Sequence, residues 1–65
     1  SHLFVEILYN IGEVYRILGK IDKSKLYFED AIIEMNRVAD MLNDEDRNLF
    51  FNNIKIHKTL KGLAS

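Results

Sequence analysis

The stretch LYNIGEVYRILGKIDKSKLYFEDA, from Leu8 to Ala31, decides the fold. Its apolar residues recur at intervals of three and four, which is helical spacing. Gly19 interrupts the pattern where a left-handed helix cap would sit. Gly19-Lys20-Ile21-Asp22 then reads as a tight connection, with Asp22 as the N-cap of a second helix. A link this short favours an antiparallel hairpin.

Working outward, the first helix is expected from about residue 3 to 18 and the second from about 23 to 42. On the first, Leu3, Phe4, Ile7, Leu8, Ile11, Val14, Tyr15 and Leu18 form one wide apolar stripe, with Val5, Tyr9, Gly12, Glu13 and Arg16 on other sides. On the second, the stripe is Phe28, Ala31, Ile32, Met35, Val38, Ala39 and Leu42, with Leu26, Ile33 and Met41 opposite. Gly12 has no side chain, so the second helix can approach closely there. Ser24, Phe28 and Ala31 alternate small and large on the facing surface, which lets the helices interdigitate. Tyr15 and Phe28 are the expected aromatic centre.

Asn43-Asp44-Glu45-Asp46 is a second break, suited to a helix N-terminus. A third helix is expected from about 45 to 61, stopped by Gly62. Leu49, Phe50, Ile54, Ile56, Leu60 and Leu63 share one broad face, and Lys55, Lys58 and Lys61 the other, with Phe51 among them. A shift of 43 residues lays Leu8-Tyr9-Asn10-Ile11 on Phe51-Asn52-Asn53-Ile54, Ile17 on Leu60 and Gly19 on Gly62, a weak internal repeat.

Leu8, the pair Ile11-Gly12, Tyr15, Gly19, Ser24, Phe28 and Ala31 stand at the spacings of a tetratricopeptide repeat (TPR), which the stretch resembles. Ser24 replaces the usual Ala, and Asn36 stands where a Pro usually ends the unit. The longer second helix and the longer period, against about 34 residues, resemble the long-helix variants of that family. The resemblance implies an all-α module, residues 1–65, of an antiparallel TPR-like hairpin plus a third helix. Lys55 and Lys58 stand where the family has Gly and Tyr. Helix three is therefore read as a cap with a polar outer face, and Phe51 on the Lys side runs against that reading. Arrays usually need about three repeats for stability, so an excised or unusually short module is expected.

Composition narrows the chemistry. Nine Lys/Arg against ten Asp/Glu leave a net charge of −1, which gives no global reason to expect nucleic acid or an anionic membrane. The charge is uneven: residues 1–46 carry five basic and ten acidic groups, residues 47–65 four basic and none acidic. The Lys stripe lacks Arg and aromatic interleaving, so it reads as a solvated capping face. With no Cys, disulfides, thiol chemistry and zinc-finger ligation are excluded. No apolar run approaches the ~20 residues of a membrane span and no signal-peptide pattern precedes the first helix. Absence of Cys suits any compartment; a cytoplasmic location is the expectation. Ser1-His2 reads as a cloning remnant.

No catalytic, cofactor or metal site is expected. His2 lies at the tag end, and His57 has no Cys and no nearby Ser to activate, so it reads as a helix-interface residue. Glu29, Asp30 and Glu34 cluster on a solvated face. Asp44, Asp46 and Asn48 open like a calcium loop, but Leu49 and Lys55 stand where its Gly and Glu are required. Gly12 and Gly19 are too far apart for a phosphate loop, and Ile21 replaces its Ser/Thr.

The expected function is non-enzymatic protein–protein interaction. In many TPR members an Asn on the inner helix bonds an extended peptide's backbone. Asn10 and Asn53 occupy matching places, with Tyr9, Glu13, Arg16, Asn52 and Ile56 as neighbours, so these seven residues are the peptide-binding candidates. The amide offers both donor and acceptor, as a peptide backbone requires. Tyr9 and Glu13 stand at two places of the chaperone-tail-binding pattern, which disfavours a C-terminal carboxylate ligand. Two alternatives remain open: a self-association element, and a regulatory segment of a larger enzyme or transcription regulator. Apolar residues outside the stripes on every helix predict a homodimer, with Leu26, Ile33 and Phe51 at its interface.

Overall fold

The computed structural model describes residues 3–64; Ser1 and His2, and with them the remnant reading, lie outside the described residues. The architecture is all-α, four helices and no strand among the described residues: α1 (Leu3–Ile17), α2 (Ile21–Ala39), α3 (Asp44–Asn53) and α4 (Lys55–Ala64). The described residues measure 38 × 18 × 16 Å, and α1 and α2 form a hairpin.

Gly19 ends α1 as expected. Its φ is +77°, the left-handed region. The Gly19 amide donates to the Arg16 carbonyl (3.1 Å) and the Lys20 amide to Tyr15 (2.8 Å), the paired bonds of a Schellman cap. The chain re-enters a helix at once, so Lys20 is the N-cap of α2 and Asp22 lies inside its first turn. Asp22 is therefore not the cap; its charge complements the helix N-terminus instead.

The two helices run antiparallel, Tyr15 against Tyr27 and Tyr9 against Phe28, each ring pair 5.5 Å between centroids. The expected Tyr15–Phe28 centre is thus replaced by two pairs. The close approach falls at Gly12, where a Cβ would lie 2.6 Å from the Phe28 ring. There the Ser24 hydroxyl donates to the Gly12 carbonyl (2.9 Å).

That approach corrects the reading of α1. Its buried residues are Val5, Leu8 and Gly12. Leu3, Phe4, Ile7, Val14 and Leu18, all in the predicted stripe, are exposed. The α2 stripe is as expected: Ala31, Met35, Val38 and Ala39 are buried, with Phe28, Ile32 and Leu42 packed beside them.

The second helix stops at Ala39, three residues short of the expected end. Amides of Met41 and Leu42 bond back three residues, tightening the chain into a turn. Asn43 then caps α3, its Oδ1 accepting from the Asp46 amide (2.8 Å), and Asp44, Glu45 and Asp46 fill the first turn. Arg47 closes the corner: its guanidinium donates to the carbonyls of Ala39 (3.1 Å) and Leu42 (3.0 Å). The guanidinium thereby bonds the last carbonyl of α2, which also takes the Leu42 amide, and the Leu42 carbonyl in the turn beyond it.

The expected single third helix is two. Ile54 is extended (φ −101°, ψ 113°), which breaks the run between α3 and α4. Its carbonyl accepts the Lys58 amide (3.0 Å), so the residue that ends α3 also starts α4. Asn52 and Asn53 have modest helix propensity, and a β-branched residue such as Ile54 suits extended backbone. Gly62 lies within α4 and stops nothing. The repeat read by a 43-residue shift therefore sets one continuous helix against two.

Phe50, Phe51 and Leu60 complete the core. His57 is buried with them; its ring lies 3.9 Å from that of Phe50, and its Nδ1–H donates to the Phe50 carbonyl (3.1 Å). This bond ties the first turn of α4 to the last turn of α3 across the break.

Candidate functional site

The surface that stands out is the apolar side of α1 left uncovered by α2. Phe4, Ile7, Ile11 and Val14 of α1, with Leu18 in the turn just past its end, are spaced 3, 4, 3 and 4 residues apart. A strict 3–4 alternation is the seam of a helix that packs along another helix. The residues of α1 that the fold covers follow the same alternation one residue later, at Val5, Leu8, Gly12 and Tyr15. One helix thus carries two adjacent seams, and the fold uses one. Of the other, only Ile11 is half-buried; Phe4, Ile7, Val14 and Leu18 are exposed.

The α3–α4 pair does not cover this seam. Glu6, on the side of α1 away from it, borders a 200 Å³ hollow with Ile54, Lys55, Ile56 and His57. Lys61 and Ala64 of α4 border another with Met35 and Asn36 of α2.

The peptide-binding candidates are distributed differently. Tyr9 is half-buried against Phe28, and Asn10 is exposed. Glu13 and Arg16 are paired with each other (2.9 Å), and that bond holds the Glu13 carboxyl below the ordinary range. Asn52 and Asn53 are exposed at the end of α3, and the Asn52 amide donates to Asn48 (2.6 Å). Ile56 is half-buried beside the break. Asn52 lines an open hollow of about 540 Å³ with Asp44, Glu45, Arg47, Asn48, Phe51 and Lys61, into which neither Asn10 nor Asn53 projects. The two Asn that the repeat aligned do not line that hollow together, and the break at Ile54 removes the helical register that aligned them.

The self-association candidates also divide. Leu26 and Ile33 are exposed on the back of α2, 60% and 67%. Phe51 is buried in the core, edge-on to Phe50, with the Lys61 ammonium 4.2 Å from its ring centre. Its place among the Lys residues is explained by that cation–π cover, and it is unavailable to a partner. Lys55, Lys58 and Lys61 are exposed, as a polar outer face requires.

No three His, Asp or Glu are placed to hold a metal ion among the described residues, and none of the described helices is long and apolar enough to cross a membrane. Asp44 and Asp46 serve the first turn of α3. No protein-family model matches the chain, and neither a curated protein nor a solved structure matches it.

Proposed function

We propose that this chain is a non-enzymatic protein–protein interaction module whose docking surface is the open seam of α1. The observation that carries this reading is the run Phe4, Ile7, Ile11, Val14, Leu18, a complete packing seam along one side of a helix that already packs through another. Contiguous exposed apolar surface of this kind marks interaction sites. The resemblance of residues 8–31 to the TPR family supports the same class of function. A helical partner fits the seam better than an extended peptide does, because the polar groups near Asn10 and Asn52 are engaged by neighbours in their own helices.

The test is capture on immobilised protein from extracts of the cells that make it. The double variant Ile7→Lys/Val14→Lys serves as the control, with circular dichroism confirming that it stays helical. Proteins held by the wild type and lost by the variant support the reading. Equal retention by both removes α1 from it.

A further inference from the structure

We infer that the partner of the α1 seam is a second copy of this chain, the two α1 helices packing antiparallel about a two-fold axis beside Asn10. This rests on the seam being the docking surface, as proposed above.

Three properties of the seam select this occupant. First, it is uncharged. With Phe4, Ile7, Ile11, Val14 and Leu18 as the central positions, the flanking positions on both sides are Leu3, Leu8, Asn10, Tyr15 and Ile17. None of these ten residues is Asp, Glu, Lys, Arg or His. Seams that choose a different chain carry complementary charges on their flanks; the α1 flanks carry none of their own, and the Lys23 ammonium of α2 is held over the Tyr15 ring, 5.5 Å from its centre.

Second, the seam is self-complementary when reversed. An antiparallel pair sets the first of each heptad's two apolar positions against the second of its partner. Phe4 then meets Val14 of the other copy and Ile7 meets Ile11, and the same contacts recur on the other side of the axis. This is the isologous geometry of a two-fold interface. The one polar flank residue in mid-seam, Asn10, falls beside the axis, where its amide can donate to and accept from the same amide of the other copy.

Third, the area reaches what a specific dimer needs. Leu3, Phe4, Ile7, Val14 and Ile17, which this register sets against the other copy, are 47 to 73% exposed; Leu18 lies past the end of the overlap. An aliphatic side chain presents ~60–120 Å² and an aromatic one ~150–250 Å², so these five offer ~300 Å² of apolar surface. With apolar atoms forming ~60% of an interface, that corresponds to ~1,000 Å² over both copies. This meets the lower bound for a specific interface.

The back of α2 is the weaker competitor. Leu26 and Ile33 are two exposed residues on one side of that helix, against five on α1, and Phe51 is buried.

The experiment is sedimentation equilibrium from 1 to 200 µM. The wild type is expected to move from the 7.6 kDa monomer mass towards twice that value. Ile7→Lys/Val14→Lys should remain monomeric at every concentration while keeping its helical spectrum. Leu26→Lys/Ile33→Lys should dimerise like the wild type. Because the chain has no Cys, orientation is read by oxidising Asn10→Cys: a covalent dimer should form at least ten times faster than from Leu26→Cys. A parallel pair would instead link through Ile11→Cys and not through Asn10→Cys. A monomer at 200 µM overturns the second-copy inference, as does a dimer lost in the α2 variant and kept in the α1 variant, or Asn10→Cys linking no faster than Leu26→Cys. A monomeric chain whose α1 seam still discriminates in the capture experiment would leave the interaction module standing with a different partner.

Discussion

The hydroxyl of Ser24 on α2 donates to the carbonyl of Gly12 on α1, at 2.9 Å and buried. It is a side-chain bond from one helix to the backbone of the other, made where the two come closest. It ties position along the hairpin to packing across it.

Ser24→Ala keeps the volume and removes the bond. The expected cost is ~1 kcal/mol, a fall in Tm of ~4–8 °C for a domain of this size. Thermal denaturation by circular dichroism measures it. An unchanged Tm would show that the bond contributes nothing beyond the packing.

Gly12→Ala should also destabilise, although Ala favours a helix over Gly by ~1 kcal/mol. The new Cβ would stand 2.6 Å and 2.7 Å from two carbons of the Phe28 ring, and the ring must move. In a Phe28→Leu background the clash is gone, and the same substitution should become neutral or stabilising. That reversal of sign in a double-mutant cycle of urea midpoints is the expected result. A Gly12→Ala protein more stable than the wild type would refute the close approach.

Arg47→Ala should cost ~1–2 kcal/mol by removing its two hydrogen bonds and leaving the Leu42 carbonyl without the guanidinium. Arg47→Lys should recover less than half of it. A Lys ammonium keeps the favourable charge at the end of α2, but only the planar fork reaches two carbonyls at once. Equal stability of the Lys variant and the wild type would mean that charge alone acts there.

Acid should weaken the fold through two surface pairs. Hydrogen bonds from Arg16 and Arg37 hold the carboxyls of Glu13 and Glu34 below the ordinary glutamate range. A carboxyl with a lowered folded pKa contributes stability above its unfolded value and loses it as pH falls through the folded one. The loss therefore begins below about pH 4.3. Both pairs are exposed, so the effect is small and should fade in 1 M salt. The slope of urea midpoint against pH should flatten in Glu13→Gln/Glu34→Gln; an identical slope would exclude these pairs.

The hairpin was legible because its turn and its close approach rest on residue types that do one thing well: Gly19 for a positive φ, Gly12 and Ser24 for small size. The orientation of α1 was not. A helical wheel weights apolar side chains, and Gly12 has none, so the widest stripe pointed to the wrong side. The signal was present in the close approach read at Gly12, since the helix side that carries the smallest residue must be the side that meets α2. Phe51 was misplaced for a related reason: a Lys can lie over an aromatic face and cover it. The break at Ile54 had no Gly or Pro to announce it. It is bridged by His57 reaching back to Phe50, a contact seven residues apart that local pattern does not reveal. The α1 seam was present in the sequence as apolar spacing, but it became a candidate site only once the structure showed which of two seams the fold consumes.

The break at Ile54 has a consequence for how the molecule comes apart. It divides what would have been one long helix into two of ten residues each. Helices shorter than ~12–15 residues are marginal in water on their own. Neither α3 nor α4 therefore survives undocking: once Phe50, Phe51, His57 and Leu60 leave the hairpin, the segment unwinds in the same event. Residues 44–64 are therefore expected to open and refold as one unit, uncovering Met35 where α2 borders Lys61 and Ala64.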